Sequence, residues 1–207
     1  MMRLLALAAV LLALGAGAAR GAAVAPLPSS VAKQLKAGGY WHQGCPVALS
    51  GLRLLTVDYR DFAGRSATGQ LVVNARAAHP LVRVFRRLYA LHFPIRRMNV
   101  LPLDGDVTQS FSCRQAVPSP CVGGSGTGSW SMHAYGLAVD INPRENPYVG
   151  CGQSRDPATR RYFDRSAHRR GMVTARAIGA FRSVGWGWGG AWTGNTKDYM
   201  HFSSTGH

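Results

Sequence analysis

The sequence predicts an α+β fold: one domain with a small antiparallel sheet flanked by helices. Three observations carry this. Short alternating or β-branched runs recur along the chain, two longer segments show helical periodicity, and the two kinds of element follow one another irregularly rather than in βαβ units. The chain has 207 residues, enough for one domain with a sizeable core. Its 25 glycines and 11 prolines imply many loops.

The first residues, MMRLLALAAVLLALGAGAAR, place one arginine before an apolar run and small residues after it. This is the layout of a secretory signal peptide, with cleavage expected between Ala18 and Ala25. The apolar run is shorter than the ~20 residues a spanning helix needs, so no stable membrane insertion is expected after cleavage; an uncleaved anchor is the alternative. No cysteine follows it to carry a lipid. AAVAPLPSS (22–30) reads as a flexible leader, so residues 1–25 are assigned to signal peptide and leader and 38–207 to the domain.

Within the domain, residues 52–62 (LRLLTVDYRDF) alternate as a strand does, GRSATG turns the chain, and QLVVN (70–74) forms the second arm of a hairpin. Leu81, Val82, Val84, Phe85, Leu88, Tyr89 and Leu91 then recur at helical spacing, with Pro94 as the stop. IRRMNV (95–100) reads as a short strand, and VGGSGTGSW (122–130) as a surface loop. GLAVDIN (136–142) is a strand, and residues 153–170 are polar, basic and loop-like. Residues 174–185 form a helix with Ala177, Ile178 and Phe181 on one face. After a Gly/Trp segment, DYMHFS (198–203) is the last strand. Trp186, Trp188 and Trp192 either pack beneath the site or line a cleft wall, where aromatic faces can stack on a ligand.

The formal charge is +15, and removing Arg3 and Arg20 with the leader leaves +13. Such a charge suits polyanionic surroundings: nucleic acid inside a cell, wall polymers or anionic lipid outside it. The export signal favours the second setting, in the secreted, periplasmic or cell-wall space, and argues against nucleic acid. Four cysteines, Cys45, Cys113, Cys121 and Cys151, agree with an oxidising compartment. Three pairings are open; the short separation of Cys113 and Cys121 favours joining them, leaving Cys45 with Cys151. No CxxC pair supports a four-cysteine zinc site.

Only nine residues are acidic, and one of them, Asp140, sits in the apolar run LAVDI. Burying a lone carboxylate is costly without a partner. His133 lies seven positions before it, and Asp198 and His201 form a second acid–imidazole pair. A catalytic zinc takes three protein ligands and keeps one open position, and its chemistry needs a carboxylate base that is not a ligand. His133, Asp140 and His201 could supply the ligands and Asp198 the base. Taken singly, each pair is weak evidence and more often reads as a structural histidine oriented by a carboxylate. HExxH is absent.

SMHAYGLAVDINP resembles the SxHxxGxAxD signature of VanY-type D-alanyl-D-alanine carboxypeptidases and L-alanyl-D-glutamate endolysins, a superfamily of zinc peptidases. ENPYV, the terminal DYMHF, and SFSCR as a counterpart of the Ser-x-x-x-Arg stretch continue the resemblance, which covers roughly residues 50–205. It implies a hedgehog/D-Ala-D-Ala-peptidase-like fold and a monomeric zinc peptidase cutting peptidoglycan stem peptides. It implies zinc on His133, Asp140 and His201, with Asp198 as general base. Arg114 would hold the scissile carbonyl or a substrate carboxylate, and Ser131 and Gln109 would line the site. Many relatives carry Glu where this chain has Asp198. The rival expectation is a non-catalytic, metal-containing wall-binding protein of the same fold.

Overall fold

The computed structural model describes residues 21–101, 105–122, 124, 126 and 128–207. The signal peptide read over the first twenty residues lies outside them. The fold is α+β, and among the described residues it has three small antiparallel sheets and three α-helices. The first sheet has the order β1-β2-β3, from Ala23–Pro26, Leu52–Arg60 and Ser66–Asn74. Here the structure departs from the reading of residues 22–30 as a flexible leader. Ala23–Pro26 pairs with β2 from Ala23↔Thr56 to Pro26↔Arg53, and helix α1 (Ser29–Ala37) buries Val31 and Leu35. Four small residues carry little period-2 signal, but the free edge of β2 supplies their hydrogen bonds.

The β2–β3 hairpin is longer than expected. Its register runs from Leu52↔Asn74 to Arg60↔Ser66, with Asp61 closing the turn through backbone N–H groups of Ala63 and Arg65. Helix α2 (Ala75–Ala90) starts at Asn74, whose side chain accepts from the Arg76 N–H. Its apolar face of Leu81, Val84, Phe85 and Leu88 meets Leu55, Val57, Leu71 and Val73 of the hairpin in one core. Residues 95–100 do not form a strand. They make one isolated bridge, Met98↔Thr108, beside the bridge Arg60↔Pro94 just before them, because no continuous partner strand runs alongside.

The second sheet, β4-β9-β7, comprises β4 (Ala138–Asp140), β7 (Gly187–Trp188) and β9 (His201–Ser203). The third, β6-β5-β8, comprises β5 (Tyr148–Gly150), β6 (Gln153–Ser154) and β8 (Thr196–Asp198). The expected final strand is therefore two strands, and Asp198 and His201 sit on different sheets. The expected loop over 153–170 holds β6 and a 3-10 turn, Pro157–Tyr162, capped by Asp156. Helix α3 (Ala175–Arg182) carries Phe181, whose ring stacks on Phe202 of β9 at 3.8 Å between centroids. The site's strands are thus rooted in the same core as the hairpin.

The disulfides are Cys45–Cys113 and Cys121–Cys151. This corrects the pairing of Cys113 with Cys121. The Cys113 N–H donates to the Tyr40 carbonyl at 3.0 Å, drawing it to the 40–45 turn. Cys121 instead sits by β8, where Ser119 and Thr196 share a 2.6 Å hydrogen bond and Cys151 N–H reaches Asn195. Closeness in sequence loses to these tertiary contacts.

Candidate active site

Strands alternate their side chains, and β4 and β9 use this to separate core from site. Val139 faces Phe202 across the ladder, both fully buried in the core. The next pair, Asp140 and His201, emerges on the opposite face. His133 comes from a 3-10 turn, Met132–Tyr135, capped by Ser131, whose hydroxyl accepts from the His133 N–H at 3.3 Å. Gly136 ends that turn with φ +64°, and a Cβ there would stand 2.6 Å from the Asn74 nitrogen. Only glycine suits both demands. The Asn74 N–H donates to the Gly136 carbonyl at 2.9 Å, latching the turn to the start of α2.

His133 Nδ1 donates to the Ser110 carbonyl at 2.5 Å, which leaves Nε2 as the atom facing the site. His133 Nε2, His201 Nδ1 and Asp140 Oδ1 form a triangle with all three sides 3.2 Å. Tetrahedral zinc with bonds of about 2.0–2.1 Å separates its ligands by about 3.3 Å, so the triangle fits one face of that tetrahedron. Three lone pairs meeting at that spacing repel unless protons or a cation lie among them. The donor set of two imidazoles and a carboxylate suits zinc by the same criterion. The second nitrogen of His201, Nε2, is buried with no hydrogen-bond partner among the described residues.

Burial works against the Asp140 charge, but His133 and His201 outweigh it and hold its carboxyl well below the usual carboxylate range. Asp198 behaves oppositely. Burial and the neighbouring Asp140 push it up to about 7, against the pull of His201, Arg114 and the Met200 N–H. Its Oδ1 is buried with no hydrogen-bond partner among the described residues. A carboxylate with one oxygen free of partners, poised near neutrality beside three residues able to hold a metal ion, has the character of a general base.

These groups share a cleft of about 450 Å³ that also takes in Arg114, Ser131 and Trp130. Residues 110–114 reach it by running beside the 3-10 turn. Ser112 N–H donates to the His133 carbonyl at 3.2 Å, and Ser131 N–H to the Arg114 carbonyl at 3.1 Å. The Arg114 guanidinium makes one weak bond, to the Gln115 carbonyl at 3.2 Å. Gln109 is placed differently from expectation. Its backbone pairs with Asp140 in both directions, at 3.2 and 2.9 Å, and its side chain lines a neighbouring cavity instead.

The tryptophans divide. Trp186 is buried against Phe181, and Trp188 donates to the Tyr199 carbonyl at 2.8 Å beneath the sheet. Trp192 is a cleft wall, 6.0 Å from the His201 ring. Three further cleft residues, Trp130, Tyr148 and Arg155, were not singled out from sequence. Tyr148 lies in the ENPYV motif, which was the available signal; Arg155 sits in a basic, loop-like stretch that gave none. Glu145 of the same motif is no cleft residue: it is fully buried, and it pairs with Arg96.

No curated protein and no solved structure matches the chain. A family model does, over residues 125–204, which is 80 of the 207 residues. That stretch contains His133, Asp140, Asp198 and His201, while Ser110 and Arg114 precede it. The site-bearing part of this chain therefore matches the D-alanyl-D-alanine carboxypeptidase family, within the superfamily that its SxHxxGxAxD signature resembles.

Proposed function

We propose that the protein is an exported zinc peptidase that hydrolyses peptide bonds in peptidoglycan stem peptides, of the D-alanyl-D-alanine carboxypeptidase or L-alanyl-D-glutamate endopeptidase type. One observation carries this reading: an equilateral triad of candidate ligand atoms opens into the same cleft as a carboxylate whose Oδ1 is buried without a partner and an arginine free of any carboxylate partner among the described residues. A protein that only binds wall polymer has no use for Asp198 in that state.

His133, Asp140 and His201 would hold the ion. When bound, zinc supplies Lewis-acid polarisation of the carbonyl and makes water acidic enough to attack near neutral pH. Asp198 accepts the proton of the attacking water and returns it to the leaving amine. Arg114 faces the oxyanion that develops on the scissile carbonyl, with a permanent charge and a forked set of donors. Ser131 fixes the turn that aims His133. A cation in the triad favours the ionised form of Asp198, bringing it below its metal-free value. Two disulfides support an oxidising compartment. Among the described residues no helix is long and apolar enough to cross a membrane.

The test is digestion of purified stem peptides by zinc-loaded protein, read by mass spectrometry beside Asp198→Asn. Release of D-alanine or a cut after L-alanine, absent in the variant, supports the proposal. Intact peptides with zinc bound would instead favour the wall-binding reading.

A further inference from the structure

The cleft does not end at the ligand triad. A second cavity of about 340 Å³ adjoins it, and Asp140, Tyr148, Arg155 and Met200 line both. Tyr148 stands opposite Asp198 on the β5–β8 ladder, so the phenol and the base rise side by side on one face. The ring is braced edge-on against Trp192 at 6.3 Å, and its hydroxyl makes only a long contact of 3.4 Å to the Val117 carbonyl. Arg155 follows β6 and lines the same two cavities as Tyr148, where its charge acts on the phenol. The guanidinium is exposed and steadied through Nη2 alone, by the Gly124 carbonyl at 3.1 Å and the Pro118 carbonyl at 3.5 Å. No carboxylate pairs with it among the described residues.

Two arginines thus serve one cleft from different positions. The charge of Arg114 acts on Asp198, at the reacting centre. Arg155 stands where the cleft opens into the second cavity, with Nε and Nη1 unspent, and Tyr148 lines the same two spaces. A guanidinium fork matches a carboxylate, and a phenol hydroxyl in the same cleft adds a donor. A site that removes a chain terminus must close behind the terminal carboxylate, and here further space lies beyond it.

We infer that Arg155 and Tyr148 receive a carboxylate carried within the substrate chain, so that the preferred substrate is an acidic peptide continuing on both sides of the scissile bond. This rests on the peptidase reading above and, of its two bond types, selects the L-alanyl-D-glutamate one. The second cavity then holds the part of the chain beyond the acidic residue.

Three synthetic peptides test this with zinc-loaded protein. The first carries L-alanyl-γ-D-glutamyl-L-lysine with an amidated C-terminus, the second has D-isoglutamine in place of D-glutamate, and the third ends in free D-alanyl-D-alanine. Sites built for a polar group reject analogues lacking it strongly, so the first should be cut with kcat/KM at least about tenfold above the second. Arg155→Gln should bring that ratio below about threefold, chiefly through KM, and Arg155→Lys should restore part of it. Tyr148→Phe, which keeps the ring on Trp192, should lower the ratio by a smaller factor. Equal cutting of the first two peptides by wild type, or a ratio untouched by Arg155→Gln, overturns the inference. Trimming of the third peptide with the first left whole rejects the inference and leaves the peptidase reading standing. Failure to cut any of the three removes both.

Discussion

Asp140 and His201 stand directly opposite one another on β4 and β9, and their facing atoms, Oδ1 and Nδ1, are 3.2 Å apart. One register thus fixes two of the three atoms able to hold a metal ion, with Val139 and Phe202 behind them as a core anchor. A slip of one residue would send both side chains into the core. His133 completes the triangle from a turn latched to another part of the fold.

Removing a ligand should therefore remove the metal without unfolding the domain. His133→Ala and His201→Ala should each weaken zinc binding by about 100-fold or more, since a three-ligand site loses a third of its donors. Metal analysis after dialysis checks this, with circular dichroism to confirm the fold.

Asp198 should separate catalysis from metal binding. Asp198→Asn should retain about one zinc per chain and lose about 10²- to 10⁴-fold in kcat, the range for a general base. Equal metal content beside a lost rate is the expected pair of readings.

The raised Asp198 carboxyl also predicts a pH dependence in the metal-free protein. Its folded value is about 7 against an ordinary 3.8, so between those limits the folded state holds a proton that the unfolded state has released. Stability contributed by this group is full at acid pH and falls as pH rises through 7. Denaturant melts of chelated protein at pH 5 and pH 8 should show Asp198→Asn relieving a loss on the order of 1–3 kcal/mol at the higher pH.

The disulfide from Cys45 to Cys113 spans 68 residues and ties down the residue before Arg114. Loop-closure entropy puts its contribution at about 4 kcal/mol. Cys45→Ala with Cys113→Ala should lower the unfolding midpoint accordingly, and should lower kcat/KM in the surviving folded fraction. Non-reducing peptide mapping should show 45–113 and 121–151 as the linked pairs.

The buried Glu145 predicts a purely structural defect. Its Oε1 meets Arg96, and the Tyr162 hydroxyl donates to it at 3.3 Å. Glu145→Ala leaves Arg96 partly buried without its main partner and should cost about 3–5 kcal/mol in a denaturant melt. Specific activity of the folded protein should change far less.

The cluster of His133, Asp140, His201 and Asp198 was legible in sequence because a carboxylate inside LAVDI is expensive without a partner, and the imidazoles lie within a few residues of the two acids. The hairpin and helices α2 and α3 were legible from period alone, whereas α1 was not. What sequence left hidden depends on tertiary neighbours. Ala23–Pro26 is a strand only because β2 offers an edge. DYMHFS divides at Tyr199–Met200, so Asp198 pairs with Tyr148 while His201 pairs with Asp140. The disulfides follow where Tyr40 and Thr196 draw the chain. Arg155 looked like one more solvated arginine until β6 turned it toward the cleft.

The central claim is that the triad holds a catalytic metal. The most direct measurement is stem-peptide hydrolysis by one sample taken through chelation and then zinc return, with His133→Ala alongside. Activity should vanish on chelation, recover with about one equivalent of zinc, and stay absent in the variant at every step. Hydrolysis that persists through chelation, or that His133→Ala retains, would contradict the account.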